Sequence, residues 1–151
     1  MSTMIATPSP RSAGYWESIK QHAYGYREVA IATLVFGIYL HLTRLVFGDE
    51  LLLRYLLTPT VDRIFSIPMT YAAITGLVGW RRLVFRGRAH RIASIVVLGI
   101  FVLSVPLHIL SYFGNSMARF AAFPMWYSFA EAAVLYPAFI VALWRIQFSQ
   151  Q

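Results

Sequence analysis

Four long apolar stretches constrain most strongly what this chain can fold into. They lie at residues 28–47, 61–80, 91–113 and 124–148. A membrane-spanning helix needs about 20 predominantly apolar residues, so each stretch is long enough to cross a bilayer. We therefore predict an all-α integral membrane protein, a four-helix bundle at 27–148. It follows an N-terminal arm at 1–26. In this arm we expect disorder at 1–13, and at 15–26 either a short helix in the membrane interface or an aromatic belt beside the first span.

The composition supports a membrane location. Hydrophobic residues make up 58% of the chain and charged residues 13%, which is more apolar than a typical soluble domain. The net charge of +7 would suggest nucleic acid for a soluble chain, but here we expect the lipid bilayer as partner and no nucleic-acid binding. Because cysteine is absent, disulfides, thiolate metal sites and Cys nucleophiles are excluded.

The placement of arginines predicts the orientation in the membrane. A cluster crowds the connection between the second and third stretches: Arg81, Arg82, Arg86, Arg88 and Arg91. Short loops rich in Lys and Arg stay in the cytoplasm, so both termini are predicted to be cytoplasmic too. The cluster also predicts contact with anionic lipids. Residues 1–26 lack a signal-peptide pattern, so we expect the first span to be retained, in a bacterial inner membrane.

Local signals predict how the helices begin, bend and pack. The segment 49–57 is too apolar for a solvated loop, so we expect a half-buried helix on the outer surface. Thr58 and Pro59 suit the N-cap and first position of the second helix, and Pro124 opens the fourth. Prolines that should kink the spans are Pro68, Pro106 and Pro137. Small residues four apart, which let helices approach closely, are Thr33/Gly37, Ala72/Gly76, Thr75/Gly79 and Ala138/Ala142.

Three ionisable side chains from three different spans are predicted to lie at the same depth. At about 1.5 Å per residue, His41, His108 and Glu131 fall about 10, 8 and 9 Å below the outer ends of their spans. An ionisable group in hydrocarbon costs roughly 2.5 to 3.5 kcal/mol on insertion scales. Three of them at one level therefore indicate a site.

One hypothesis for this site is a b-type haem. Spans 1 and 3 are diagonal in an up-down bundle, so His41 and His108 can face each other as axial ligands. Gly37, one turn from His41, would leave room for the macrocycle, and Arg44 would reach a propionate. The chain would then be an electron-transfer subunit of a larger quinol-linked complex, with quinone and other membrane subunits as partners.

Other hypotheses for the same residues remain open. His41, His108 and Glu131 could bind a metal as a two-His-one-carboxylate set, or Glu131 and His41 could form a proton pathway. The chain could instead be a non-catalytic accessory subunit whose polar groups satisfy one another, with Arg44 paired to Glu131. In every case we expect no catalysis by the chain alone. The acidic residues predicted at the outer surface, where we expect them to be solvated and paired with Arg54 or Arg63, are Asp49, Glu50 and Asp62.

Overall fold

The structure is mostly helical. The computed structural model describes residues 10–56, 58–109 and 122–149, with the backbone alone for 10–24, 107 and 109. Its α-helices are α1 (Pro10–Leu51), α2 (Pro59–Gly79), α3 (Arg88–Ile109), α4 (Met125–Ala130) and α5 (Tyr136–Trp144). One π-helical segment, Leu52–Leu56, follows α1, and another, Glu131–Leu135, joins α4 to α5. A 3-10 turn (Trp80–Arg82) and two short strands, β1 (Leu83–Val84) and β2 (Gln147–Phe148), lie at the other end.

Three helical segments among the described residues are long and apolar enough to cross a membrane. They are Gly25–Leu56, Arg88–Pro106 and Met125–Trp144, which fits the membrane location predicted from the sequence. Helix α2, predicted as a further span, has 21 residues but is not one of the three. Its outer turn contains Asp62 and Arg63, and its hydroxyl side chains lower its apolar content further.

The helices contact one another in a cyclic order around a common core. Helix α1 packs against α2 and α5, and α3 also packs against α2 and α5. Tyr26, Phe101 and Leu143 are among the side chains buried between them. Of the small residues predicted to allow close packing, all but Ala138 are buried. A close approach is shown at Gly37 and Gly76, where an added Cβ would lie 2.7 Å from Tyr136 and 2.6 Å from Leu98.

The outer connection and the start of α2 agree with the sequence. Gly48 leaves the helical conformation with φ 79°, and the segment after it buries Leu52 while Tyr55 is exposed, as expected of a half-buried helix. The Thr58 hydroxyl accepts a hydrogen bond from the Val61 N–H at 3.3 Å, with Pro59 in the first turn. The helix cap predicted at Thr58 is thus confirmed.

The N-terminal arm differs from the prediction. Helix α1 begins at Pro10 and continues into the first apolar stretch, so residues 10–26 are not a separate interfacial helix. This segment contains no proline after Pro10, and nothing in its sequence forces a break before Gly48. Of residues 1–13, predicted to be disordered, 10–13 are helical, and 1–9 lie outside the described residues.

The inner connection is fixed to the C-terminal end of the chain. Leu83 pairs with Phe148 across the two antiparallel strands, so the fourth helical stretch ends at Trp144 and does not continue to 148 as predicted. The His90 ring accepts from the Arg86 N–H at 2.9 Å and contacts the Ala142 carbonyl oxygen at 2.8 Å. His90 Nδ1 therefore fixes the turn before α3, and Nε2 holds the start of α3 against α5.

We expect Gly76→Ala to destabilise the protein because α2 packs too closely for a methyl group. An added Cβ would lie 2.6 Å from Leu98 Cδ1 and 2.8 Å from Tyr26 Cε2, an overlap of the kind that costs about 1 to 3 kcal/mol in packed cores. Gly99→Ala in α3 is the matched control, since a Cβ there meets nothing within 4 Å and helix propensity favours alanine by up to about 1 kcal/mol. The free energy of unfolding, measured in detergent, should be lower for Gly76→Ala than for Gly99→Ala. Equal values would contradict this close packing at Gly76.

Candidate functional site

His41 is buried between α1 and the Met125–Trp144 segment, where it meets Glu131. Its Nε2 lies 2.6 Å from Glu131 Oε2, and its Nδ1 lies 3.1 Å from Ser128 Oγ. The two side chains are only 5% and 11% exposed. The Tyr127 and Tyr136 rings stand edge-on to the imidazole, with centroids 6.2 and 5.5 Å away. A histidine and a carboxylate are thus in direct contact inside a candidate membrane span.

A local change of helix type adds Tyr136 to this pair. The Tyr136 hydroxyl donates to Glu131 Oε2 at 2.8 Å, and its backbone N–H bonds to the Glu131 carbonyl, five residues back. Pro137 follows and has no N–H to donate, so the helix lacks one backbone hydrogen bond at that point. The wider turn from Glu131 to Leu135 accommodates this gap. Residues five apart then share a face, and Tyr136 faces Glu131. Such wider turns are frequent at functional sites.

Arg44 connects His41 to the end of the structure that contains Asp49 and Phe123. Its guanidinium donates to Ser128 Oγ at 2.9 Å, to Asp49 Oδ1 at 2.5 Å and to the Phe123 carbonyl oxygen at 2.5 Å. The residue is 1% exposed, which places it among the most buried side chains. The break at Gly48 lets the chain turn so that Asp49 meets Arg44. Arg44 therefore joins α1, the outer connection and α4.

The hydrogen bonds around His41 are compatible with either charge state of its ring. The Glu131 carboxylate interacts with His41, Tyr136 and Tyr127, and such a set of donors suits an ionised carboxylate. Neutral His41 donates a hydrogen bond from Nε2 to Glu131 and accepts one at Nδ1 from the Ser128 hydroxyl. Protonated His41 donates from both nitrogens, since the Ser128 oxygen has two lone pairs for His41 and Arg44.

His108 belongs to a second acid–histidine pair. Its Nδ1 lies 2.6 Å from Asp62 Oδ1, with the Asp62 side chain 0% and the His108 side chain 24% exposed. The Phe65 ring lies edge-on to His108 at 5.8 Å and stacks at 5.0 Å on Phe36 of α1. His108 therefore packs against α2, whereas His41 packs against α4 and its π-helical continuation.

The predicted site residues therefore divide between two places. His41, Arg44 and Glu131 are brought together around Ser128, and His108 pairs with Asp62. Within the described part of the chain, no three His, Asp or Glu side chains form a group that could hold a metal ion. The two histidines do not form one set with Glu131.

The residues present do not fit a bis-histidine haem. The His41 Nε2 that would bind iron is 2.6 Å from the Glu131 carboxylate. The space expected above Gly37 is filled, because a Cβ there would lie 2.7 Å from Tyr136 Cε2. We derive no function from a haem.

Two predicted ion pairs need correction. Arg44 pairs with Asp49 and not with Glu131, because the turn at Gly48 brings Asp49 closer. Asp62 is fully buried and not solvated, because His108 covers it at the start of α2. No signal in the sequence indicated this pair, since Asp62 lies at the start of the second apolar stretch and His108 was predicted about 8 Å below the end of the third. Tyr136 was missed because α-helical phase places it away from Glu131.

We expect Arg44→Met to destabilise the protein strongly. The change leaves Ser128 and the Phe123 carbonyl without their charged donor and Asp49 without its partner, and breaking a buried ion pair costs about 3 kcal/mol or more. Arg54→Met is the control, because Arg54 stacks over Tyr55 at 5.4 Å at the surface. The free energy of unfolding of both variants, measured by chemical denaturation, checks this prediction. A decrease in Arg44→Met no larger than in Arg54→Met would contradict the structural role of Arg44.

Comparison of the chain with protein-family models, with curated proteins and with solved structures finds no match. The functional proposal rests on the two acid–histidine pairs, on Arg44 and on the surfaces of the helices.

Proposed function

We propose that the chain is a four-span inner-membrane protein that binds and releases a proton at the His41–Glu131 pair, with both termini in the cytoplasm. The observation that carries the proton proposal is the 2.6 Å contact between a buried imidazole and a buried carboxylate. Ionisable groups inside a membrane are costly and typically mark ion or proton sites. A quinone partner followed only from the haem hypothesis and is not part of the proposal.

The surface of α2 supports a fourth span. This helix turns apolar side chains outward, with Ile64, Ile67 and Ile74 between 56% and 63% exposed, and buries Asp62 and Ser66. A helix in water shows the opposite pattern, with its polar face exposed. An apolar exterior over a polar interior is the arrangement that lipid requires. Together with the cyclic helix contacts, it favours a four-span bundle.

The charges around His41 favour the uptake of one proton by its ring. Arg44 is neutralised by Asp49, so the Glu131 carboxylate is the remaining charge when His41 is neutral. Adding one proton to His41 converts the contact into an ion pair and brings the net charge of the group to zero. Because the Ser128 hydroxyl can donate to or accept from Nδ1, uptake requires only that this hydroxyl turn.

The site lies close to the outer surface. Arg44 contacts Ser128 on one side and the 35% exposed Asp49 on the other. Arginine does not release its proton, so Arg44 positions Ser128 beside His41 Nδ1 and does not itself carry the proton. The helix Met125–Trp144 contains both Ser128 and Glu131 and is the element whose contact with α1 responds to the proton.

An accessory membrane subunit is the second candidate function. Four polar residues of the predicted site are bound by other side chains of this chain: His41, Arg44, His108 and Glu131. The same contacts would also serve only to hold the helices together. Such a subunit would present its apolar surfaces to partner subunits. The two functions differ in whether His41 changes its charge state.

A proton site at His41 predicts that its ring carries one proton in some samples and two in others when the pH is varied. The ¹⁵N resonances of labelled histidine, with the protein in lipid nanodiscs, report the number of protons on the ring directly. In Glu131→Gln the ring should keep one proton throughout, because a buried imidazolium without a carboxylate partner is strongly disfavoured.

Asp62→Asn is the matched control. It removes a carboxylate from the other pair and should alter only the His108 signal, since Asp62 contacts His108 at 2.6 Å. A His41 ring that stays in one charge state over the whole pH range would reject proton binding and favour the accessory subunit. If the His41 ring in Glu131→Gln gained a proton as it does in the wild type, Glu131 would not be the partner that stabilises that proton.

A further inference from the structure

Exposed arginines surround the inner end of the structure. We name this set the basic rim; it consists of Arg81, Arg86, Arg88, Arg91 and Arg145, all exposed. Pairing of β1 with β2 places the Arg81 region beside the chain after α5. The contact of His90 with the Ala142 carbonyl draws the start of α3 to the same place. The five guanidiniums therefore lie around one end of the helices.

Among the side chains that the structure describes, no carboxylate neutralises the basic rim. Where side chains are described, Glu28 is the carboxylate at this end of the molecule, and it is bound to Arg27 at 2.6 Å. None of the five rim arginines forms an ion pair with a carboxylate of the described residues. Their positive charges are thus available to an external anion.

The rim lies where the candidate spans leave the hydrocarbon. Arg88 is the first residue of the span Arg88–Pro106, and Trp144 is the last of Met125–Trp144. Trp144 is 73% exposed, and Trp80 packs on Phe85 with ring centroids 5.2 Å apart. Tryptophan and arginine at a span end are typical of the headgroup layer. After Arg91 along α3, apolar side chains are exposed, namely Ile92 and Ile95.

We propose that the basic rim binds the headgroups of anionic phospholipids in the cytoplasmic leaflet. Guanidinium groups bind phosphate through paired hydrogen bonds, and basic residues beside a membrane span attract anionic lipid. The isoleucines of α3 below the rim give the acyl chains of the same lipid an apolar surface. A lipid therefore satisfies both parts of this surface, whereas free phosphate satisfies only the charged part.

The test compares lipid retention between charge variants of the full chain. The protein is purified in detergent with equal amounts of phosphatidylglycerol and phosphatidylcholine, and bound lipid is counted by native mass spectrometry. The wild type should retain phosphatidylglycerol preferentially. Arg86→Gln/Arg88→Gln should lower that preference by roughly fivefold per arginine, and added salt should lower it in the wild type.

Arg54→Gln/Arg63→Gln is the matched control, because it removes the same charge from the opposite end of the molecule. It should leave the preference for phosphatidylglycerol unchanged. Equal retention of the two lipids by the wild type, or equal losses in the two double variants, would overturn the proposal. Inorganic phosphate that displaced phosphatidylglycerol at millimolar concentration would also overturn it, since a free anion would then be the ligand.

Discussion

Arg44 carries a permanent charge, yet its side chain is almost fully buried. The polar groups that bind this charge come from several parts of the chain. An unpaired guanidinium in a low-dielectric interior is prohibitively unfavourable, so the chain has to supply acceptors from several elements. It does so with Asp49 after the turn at Gly48, the Phe123 carbonyl and the Ser128 hydroxyl. Ser128 in turn fixes His41. The geometry of the His41–Glu131 pair therefore depends on how Arg44 is satisfied.

The same requirement explains why the two histidines are separated. In an apolar bundle each polar side chain is satisfied by the nearest complementary group, and each histidine has a carboxylate on an adjacent helix. Two acid–histidine contacts use neighbouring helices, whereas contact between His41 and His108 would have to cross the core. On the α1 side of His108 lie the rings of Phe65 and Phe36, which pack on each other.

Sequence reasoning predicted the helical class, the close packing of small residues and the cap at Thr58, because these depend on local periodicity and residue type. It also placed His41 and Glu131 at one depth, and they are in contact. It could not place Tyr136, because the wider turn before Pro137 shifts the helical phase. Asp62 was assigned to the surface because a carboxylate near a helix start is usually solvated, and its burial depends on a partner in another helix.

The pairing of the histidines is tested most directly by double-mutant cycles on the free energy of unfolding. Alanine substitutions at His41 and Glu131, and separately at Asp62 and His108, should show coupling free energies within the range of about 0.5 to 3 kcal/mol found for residues in contact. The cycle between His41 and His108 should give a value within about 0.5 kcal/mol of zero, as for independent sites. Strong coupling between His41 and His108, with none between His41 and Glu131, would contradict the division into two acid–histidine pairs.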